Sequence, residues 1–179
     1  IKNILKLEKS ALKYPSNTVY KLRLKMNISV NPLTQEVHKI PDNLDDSLRI
    51  SDFLQKNEEK KVIVVQGLGF VGAVMSLVCA NALTEEYAVI GVDLASENTY
   101  WKIKSINDGI FPLTADDPKI SEFFISAKAK GNLLATYDPL AYQYADVIIV
   151  DVNLDVQKES YEKGGLKAFD VDLNGFKAA

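Results

Sequence analysis

Cysteine and histidine are the scarcest reactive residues, with one of each, Cys79 and His38, in 179 residues. A single thiol cannot close an internal disulfide, and one histidine leaves no His-rich metal site, so no metal is expected. No apolar run approaches the roughly 20 residues that span a bilayer. The N-terminus lacks the basic, apolar and small-residue regions of a signal peptide. The 21 Lys and Arg are scattered among 24 Asp and Glu, giving a charge of −3 and no basic stripe for nucleic acid. A soluble, cytoplasmic protein without a membrane or nucleic-acid partner is the expectation. The 47% apolar content is enough for the core of one ordinary domain, or of a domain with an appendage.

What is present is concentrated between Lys61 and Asp93. Val62 to Val65 is a β-branched run without alternation, as in a strand buried on both faces. Gly67-Leu68-Gly69-Phe70-Val71-Gly72 follows and opens an apolar segment long enough for a helix. Tyr87 to Val92 is a second strand, ending at Asp93. This is the order of a dinucleotide-binding βαβ unit. Gly67 permits the tight turn, Gly69 lets backbone approach a pyrophosphate, and Gly72 lets helix and strand pack. The helix N-terminus turns free N–H groups and a positive dipole end toward phosphate. Asp93 can accept both hydroxyls of the adenosine ribose and would repel a 2′-phosphate, which favours NAD over NADP.

Around this unit the chain divides into three. Residues 1–60 form an N-terminal extension, in which Ile1 to Lys13 reads as a short helix, and the start at Ile suggests a segment upstream. Tyr20, Leu22, Leu24, Met26, Ile28 and Val30 alternate with polar residues, which predicts a half-buried strand. After Asn31-Pro32, Val37 to Ile40 reads as its return strand, and Asp45 to Leu54 as a helix presenting Leu48, Ile50, Phe53 and Leu54. A lone hairpin is marginal in water, so it must pack on the main domain, on another subunit of a homo-oligomer, or on a docking partner. His38 reads as a surface histidine.

Residues 61–153 carry the alternating pattern. A helix is expected from Ser96, as N-cap, to Asn107, and another from Lys119 to Lys130. Leu133 to Thr136 reads as a strand, Asp138 to Tyr144 as a short helix, and Asp146 to Val152 as a buried strand. The fold class is therefore α/β, a Rossmann-like doubly wound parallel sheet. Right-handed crossovers put the last strand beside the first, at the switch point where ligands bind. Residues 154–179 are expected to form a polar linker, with Gln157 to Lys167 a loop, and the start of a further helix with Phe176 inward.

Four segments in order resemble the N-terminal NAD-binding domain of the UDP-glucose/GDP-mannose dehydrogenase family: Gly67 to Gly72; Gly91-Val92-Asp93 with Ile106-Asn107-Asp108-Gly109-Ile110-Phe111-Pro112; Asn132 to Thr136; and Ala145-Asp146-Val147-Ile148-Ile149-Val150. The resemblance covers about Lys61 to Asn153. It implies a family that oxidises the C6 alcohol of a UDP- or GDP-linked sugar to a carboxylate in two NAD-dependent steps. It assigns NAD to Gly67, Leu68, Gly69, Phe70, Val71, Gly72, Asp93 and Val152, and a nucleotide sugar to a later domain. Two departures stand out. Asn98 occupies the position of a family Lys or Arg, and Val152-Asn153-Leu154-Asp155 keeps the Val but not the Thr-Pro of the family's Val-x-Thr-Pro.

The family's second oxidation uses a cysteine thiohemiacetal in that later domain. Cys79 lies inside the helix opened by the glycine turn, among Met75, Leu77, Val78 and Ala82, and reads as a packing residue. No catalytic residue is therefore expected in this chain, which reads as the cofactor half of such a dehydrogenase. Two other readings share the fingerprint: a non-catalytic dinucleotide-binding or interaction module, and a dehydrogenase of the 6-phosphogluconate or 3-hydroxyacid type, against which the Asn107 to Pro112 segment argues.

Overall fold

The fold is seen in a computed structural model that describes residues 27–114, 116–152, 155–160 and 166–178. The expected helix over Ile1 to Lys13, the alternation before Asn27, and Gly164-Gly165 lie outside the described residues.

Four short apolar strands pair in parallel in the order β5-β4-β3-β6, with β3 Lys61–Gln66, β4 Tyr87–Val92, β5 Leu133–Thr136 and β6 Val147–Val150. Ile63 pairs with both Val89 and Val147 across the sheet, so the strand after Asp146 does lie beside the first strand. Alternation along β3 sends side chains to two separate cores. Ile63 and Val65 join Val89, Leu133 and Ala135 beneath three helices: α2 Phe70–Ala80, α3 Tyr100–Asp108 and α4 Pro118–Lys130. Val62 and Val64 join Ala88, Ile90, Val92 and Leu134 on the opposite face. That face is closed by Ile50 and Phe53 of α1 (Ser47–Lys56) and by Ala141 of the 3-10 helix Pro139–Tyr144. The sheet is thus covered on both faces, as a doubly wound fold requires. Helix α1, from the N-terminal extension, is half of that cover. Of its expected packing residues, Leu48 instead points to solvent at 82% exposure.

Polar side chains close the backbone where the sheet ends. The Asn107 side chain donates to the Ala135 carbonyl (2.7 Å) and accepts from the Ala135 amide (3.0 Å), so it acts as one residue of an additional strand beside β5. Asp146 does the same at the start of β6: its amide donates to the Val62 carbonyl (2.9 Å) and its carboxylate accepts from the Val62 amide (2.7 Å). At the end of β5 the Thr136 hydroxyl donates to Asp46 (2.7 Å), and the Asp46 amide donates to Asp138 (2.8 Å), tying α1 to the sheet. Buried polar atoms without partners are costly, and these pairings remove that cost.

The hairpin of β1 (Ile28–Val30) and β2 (Val37–Lys39) packs on the main body, against α3. Ser29 is central to the contact. Its hydroxyl donates to the Glu97 carbonyl (2.7 Å) and accepts from the Trp101 amide (3.0 Å) at the start of α3. The helix begins at Tyr100, four residues later than expected, and Ser96 is not its cap: the cap position is Thr99, without a side-chain cap bond of its own. The cap comes from another element, which local sequence cannot reveal. His38 pairs with Ser29 across the hairpin and so shares its inward face. Its side chain is only 10% exposed, which corrects the expectation of a surface histidine.

Two further expectations change. β6 is not buried: Val147, Ile148 and Val150 are 47%, 49% and 42% exposed, because among the described residues it packs chiefly on β3 and only Ile149 reaches the core, whereas β5, the opposite edge, is covered by helices and buried. The stretch expected to be a polar loop contains two strands, β7 Asp155–Ser160 and β8 Leu166–Asp172, paired antiparallel. β7, Asp-Val-Gln-Lys-Glu-Ser, has one apolar residue in six, so its sequence carries no apolar alternation to mark a strand. The last helix, α5 Asn174–Ala178, leaves Phe176 half exposed rather than inward.

Three substitutions check this arrangement by urea unfolding. Ser29→Ala, which uncaps α3, lowers stability by about 1–2 kcal/mol, whereas Ser96→Ala stays within about 0.5 kcal/mol. Ile50→Ala removes a fully buried side chain from the second core and costs about 2–5 kcal/mol.

Candidate dinucleotide site

The site is the turn between β3 and α2, at the carboxyl end of the sheet. The Gly67 amide donates to the Val92 carbonyl (2.8 Å), extending the β3–β4 ladder by one bond. The chain then reverses with Gly67 at φ 91°, where a side chain would be strained. A Cβ on Gly67 would lie 2.1 Å from the Asp151 carbonyl oxygen, so the position is closed on steric grounds as well. Leu68 turns inward and is fully buried, its side chain filling the space left by Gly91, whose Cβ would meet it at 2.6 Å. Gly72, in the first turn of α2, lies against the turn itself: a Cβ there would sit 1.9 Å from the Gly67 carbonyl oxygen. The third glycine thus packs helix onto turn. Gly69 has open space around it, its nearest neighbour being an Asp151 carboxylate oxygen at 3.9 Å.

The first amides of a helix have no intrahelical acceptor. In α2 the Gly72 amide donates to the Asp151 carboxylate at 2.6 Å. Among the described residues the Phe70 and Val71 amides meet no acceptor, and both side chains lie exposed beside them. These two donors on a positive helix end, beside the glycines at 67, 69 and 72, form a cradle that suits phosphate oxygens.

Asp93 lies at the tip of β4, largely buried. One carboxylate oxygen accepts from the Leu68 amide (3.0 Å) and the other from the Leu94 amide (2.8 Å). Each oxygen keeps a lone pair for another donor, so the carboxylate is held in one orientation and is still able to accept from a diol. Lys102 of α3 brings its ammonium to 3.9 Å from Asp93. Asn98, at the position where the family carries a cation, offers only its carbonyl, to the Trp101 indole N–H (2.9 Å). The basic partner of Asp93 is therefore one helical turn further on, a displacement that spacing along the sequence does not show. Burial, and next the charge of Asp93, push the Tyr142 hydroxyl above its ordinary pKa.

Of the expected residues, Gly67, Leu68, Gly69, Phe70, Val71, Gly72 and Asp93 converge on this turn. Val152 follows Asp151 directly and is half buried. Asp151 is the residue that sequence reasoning missed. Its amide donates to the Gln66 carbonyl (2.8 Å), so sheet register carries it to the glycine turn. The available signal was positional: the residue after a strand at the switch point faces the loop of its neighbour. Cys79 lies on the third turn of α2, about 13 Å along the axis from the helix start. It is partly buried against the first core, and burial pushes its thiol pKa up. A nucleophilic cysteine needs the opposite shift.

Residues 60–174 match the family model described as the UDP-glucose/GDP-mannose dehydrogenase family, NAD binding domain. Among solved structures, an NDP-N-acetyl-D-galactosaminuronic acid dehydrogenase from Methanosarcina mazei Go1 superposes with a TM-score of 0.53 at 22% identity, over 72% of this chain and 26% of that one. A UDP-D-ManNAc dehydrogenase from Pyrococcus horikoshii aligns with a TM-score of 0.46 at 24% identity, over 65% of this chain and 23% of that one. The chain therefore spans about a quarter of the length of these proteins. No curated protein sequence matches it. With the family model covering well over half of its residues, on a Rossmann-like sheet with a glycine turn at its centre, the chain belongs to the UDP-glucose/GDP-mannose dehydrogenase family and carries that family's NAD-binding domain.

Proposed function

We propose that the turn from Gly67 to Gly72 holds the pyrophosphate of NAD and that Asp93 holds its adenosine ribose, as the cofactor-binding part of a nucleotide-sugar dehydrogenase. The observation that carries this reading is the cradle: a surface closed to any Cβ at Gly67 and Gly72, with the Phe70 and Val71 amides meeting no acceptor among the described residues. Phe70 and Val71 donate through their backbone to phosphate oxygens. Leu68, anchored beneath Gly91, fixes the turn, and Val152 flanks it from the end of β6. Asp93 accepts the ribose hydroxyls, and its charge disfavours a 2′-phosphate. NAD, when bound, supplies a two-electron hydride acceptor.

The substrate that fits the family is a UDP- or GDP-linked sugar oxidised at C6 to a carboxylate, in the cytoplasm. We assign no catalytic residue to this chain. Cys79 lies far down α2 with its thiol pKa raised, and no described side chain beside the turn offers a nucleophile with its base. The chain's own part is to bind, orient and select the dinucleotide.

Titration followed by NADH fluorescence tests the assignment. NADH binds saturably and NADPH binds at least about tenfold more weakly; equal affinities would remove the role given to Asp93. Asp93→Asn weakens NADH by about tenfold or more and narrows the gap to NADPH. Gly72→Ala abolishes binding and destabilises the chain by about 2–4 kcal/mol, because its Cβ would collide with backbone. Cys79→Ser leaves NADH affinity within about twofold, and iodoacetamide modifies Cys79 more slowly than free cysteine at neutral pH, since the raised pKa leaves less thiolate.

A further inference from the structure

The cradle already contains an anion. The Asp151 carboxylate lies 2.6 Å from the Gly72 amide and takes one of the three donors at the start of α2. It is also the nearest atom to the space beside Gly69, at 3.9 Å, where the backbone is most open. Its position is built in. The Asp151 amide is fixed to the Gln66 carbonyl, and its own carbonyl fills the space left by Gly67. Among the described residues it forms no ion pair; Lys102 is engaged with Asp93. Among the described residues, only the helix end offsets its charge.

A helix end carries roughly half a positive charge, and an ionised carboxylate a whole negative one. With Asp151 in place the cradle is therefore net negative, and with it neutral or displaced the cradle is net positive. A pyrophosphate, itself anionic, must approach against the first condition. We propose that Asp151 is a resident anion of the phosphate cradle, which caps α2 when no ligand is bound and competes with the dinucleotide pyrophosphate, holding affinity down so that the cofactor can exchange. This rests on the dinucleotide reading of the site. It makes Asp151 a specificity and release residue that contributes opposite signs to the stability of the free chain and to its affinity for phosphate.

Those opposite signs provide the test. Asp151→Asn keeps an oxygen acceptor for the Gly72 amide and removes the charge; Asp151→Ala removes both. NADH affinity is read by fluorescence, and inorganic pyrophosphate binding by the rise in melting temperature, with circular dichroism checking the fold of each variant. The expected result is that Asp151→Asn binds NADH about tenfold tighter than the parent chain, gains a larger pyrophosphate shift, and melts no higher than the parent without ligand. Asp151→Ala melts lower still without ligand yet also binds more tightly. Affinity unchanged or weakened in both variants would overturn the proposal, since a purely structural carboxylate predicts that outcome. If no chain binds NADH but pyrophosphate stabilises the variants more than the parent, the dinucleotide reading fails while the resident anion stands. If neither ligand binds any chain, both fall.

Discussion

The contact between Gly72 and the Gly67 carbonyl is the constraint on which the rest depends. It brings the first turn of α2 against the end of β3 at a distance that excludes any side chain. From that contact follow the direction of α2 across the first core, the exposure of the Phe70 and Val71 amides, and the inward course of Leu68. Asp93 and Asp151 then meet the turn from the two strands flanking β3, one bonding the Leu68 amide and the other the Gly72 amide. The two carboxylates divide the work. Asp93 holds the loop through the Leu68 and Leu94 amides, while Asp151 accepts from the Gly72 amide at the start of α2.

Much of the remaining structure consists of side chains standing in for backbone. Asn107 and Asp146 extend the sheet at its two edge strands, Thr136 and Asp138 connect it to α1, and Ser29 caps α3 from a different hairpin. Three of these, Asn107, Thr136 and Asp146, lie in the segments that mark the family in sequence. Their geometry explains the residue types: Asn offers both a donor and an acceptor to one peptide unit, and Asp offers an acceptor only, where the strand supplies its own amide. Part of what marks the family in sequence thus closes the scaffold.

The sheet and the turn were legible because their signals are local. A β-branched run has one reading when glycines and an apolar helix follow it, and Asp93 needs only to end its strand. The features that were not legible depend on tertiary placement. Ser29 caps a helix 72 residues away, and Ser96, the local candidate, is displaced from that role. The exposure of Val147, Ile148 and Val150 reflects the lack of helix cover over β6 among the described residues, which an apolar sequence cannot signal. The pairing of β7 with β8 was hidden by polar residues on strands that alternate only weakly. Asp151 adjoins a strand end like Asp93, but its role appears only once β6 is known to lie beside β3.

The most direct test of dinucleotide binding at this turn is an amide NMR titration of the chain with NADH. The account predicts saturable shifts centred on Gly69, Phe70, Val71 and Gly72, with Asp93 and Leu94 moving in parallel on the same binding curve. Shifts confined to other surfaces, with the Phe70 and Val71 amides unmoved at saturation, would contradict it.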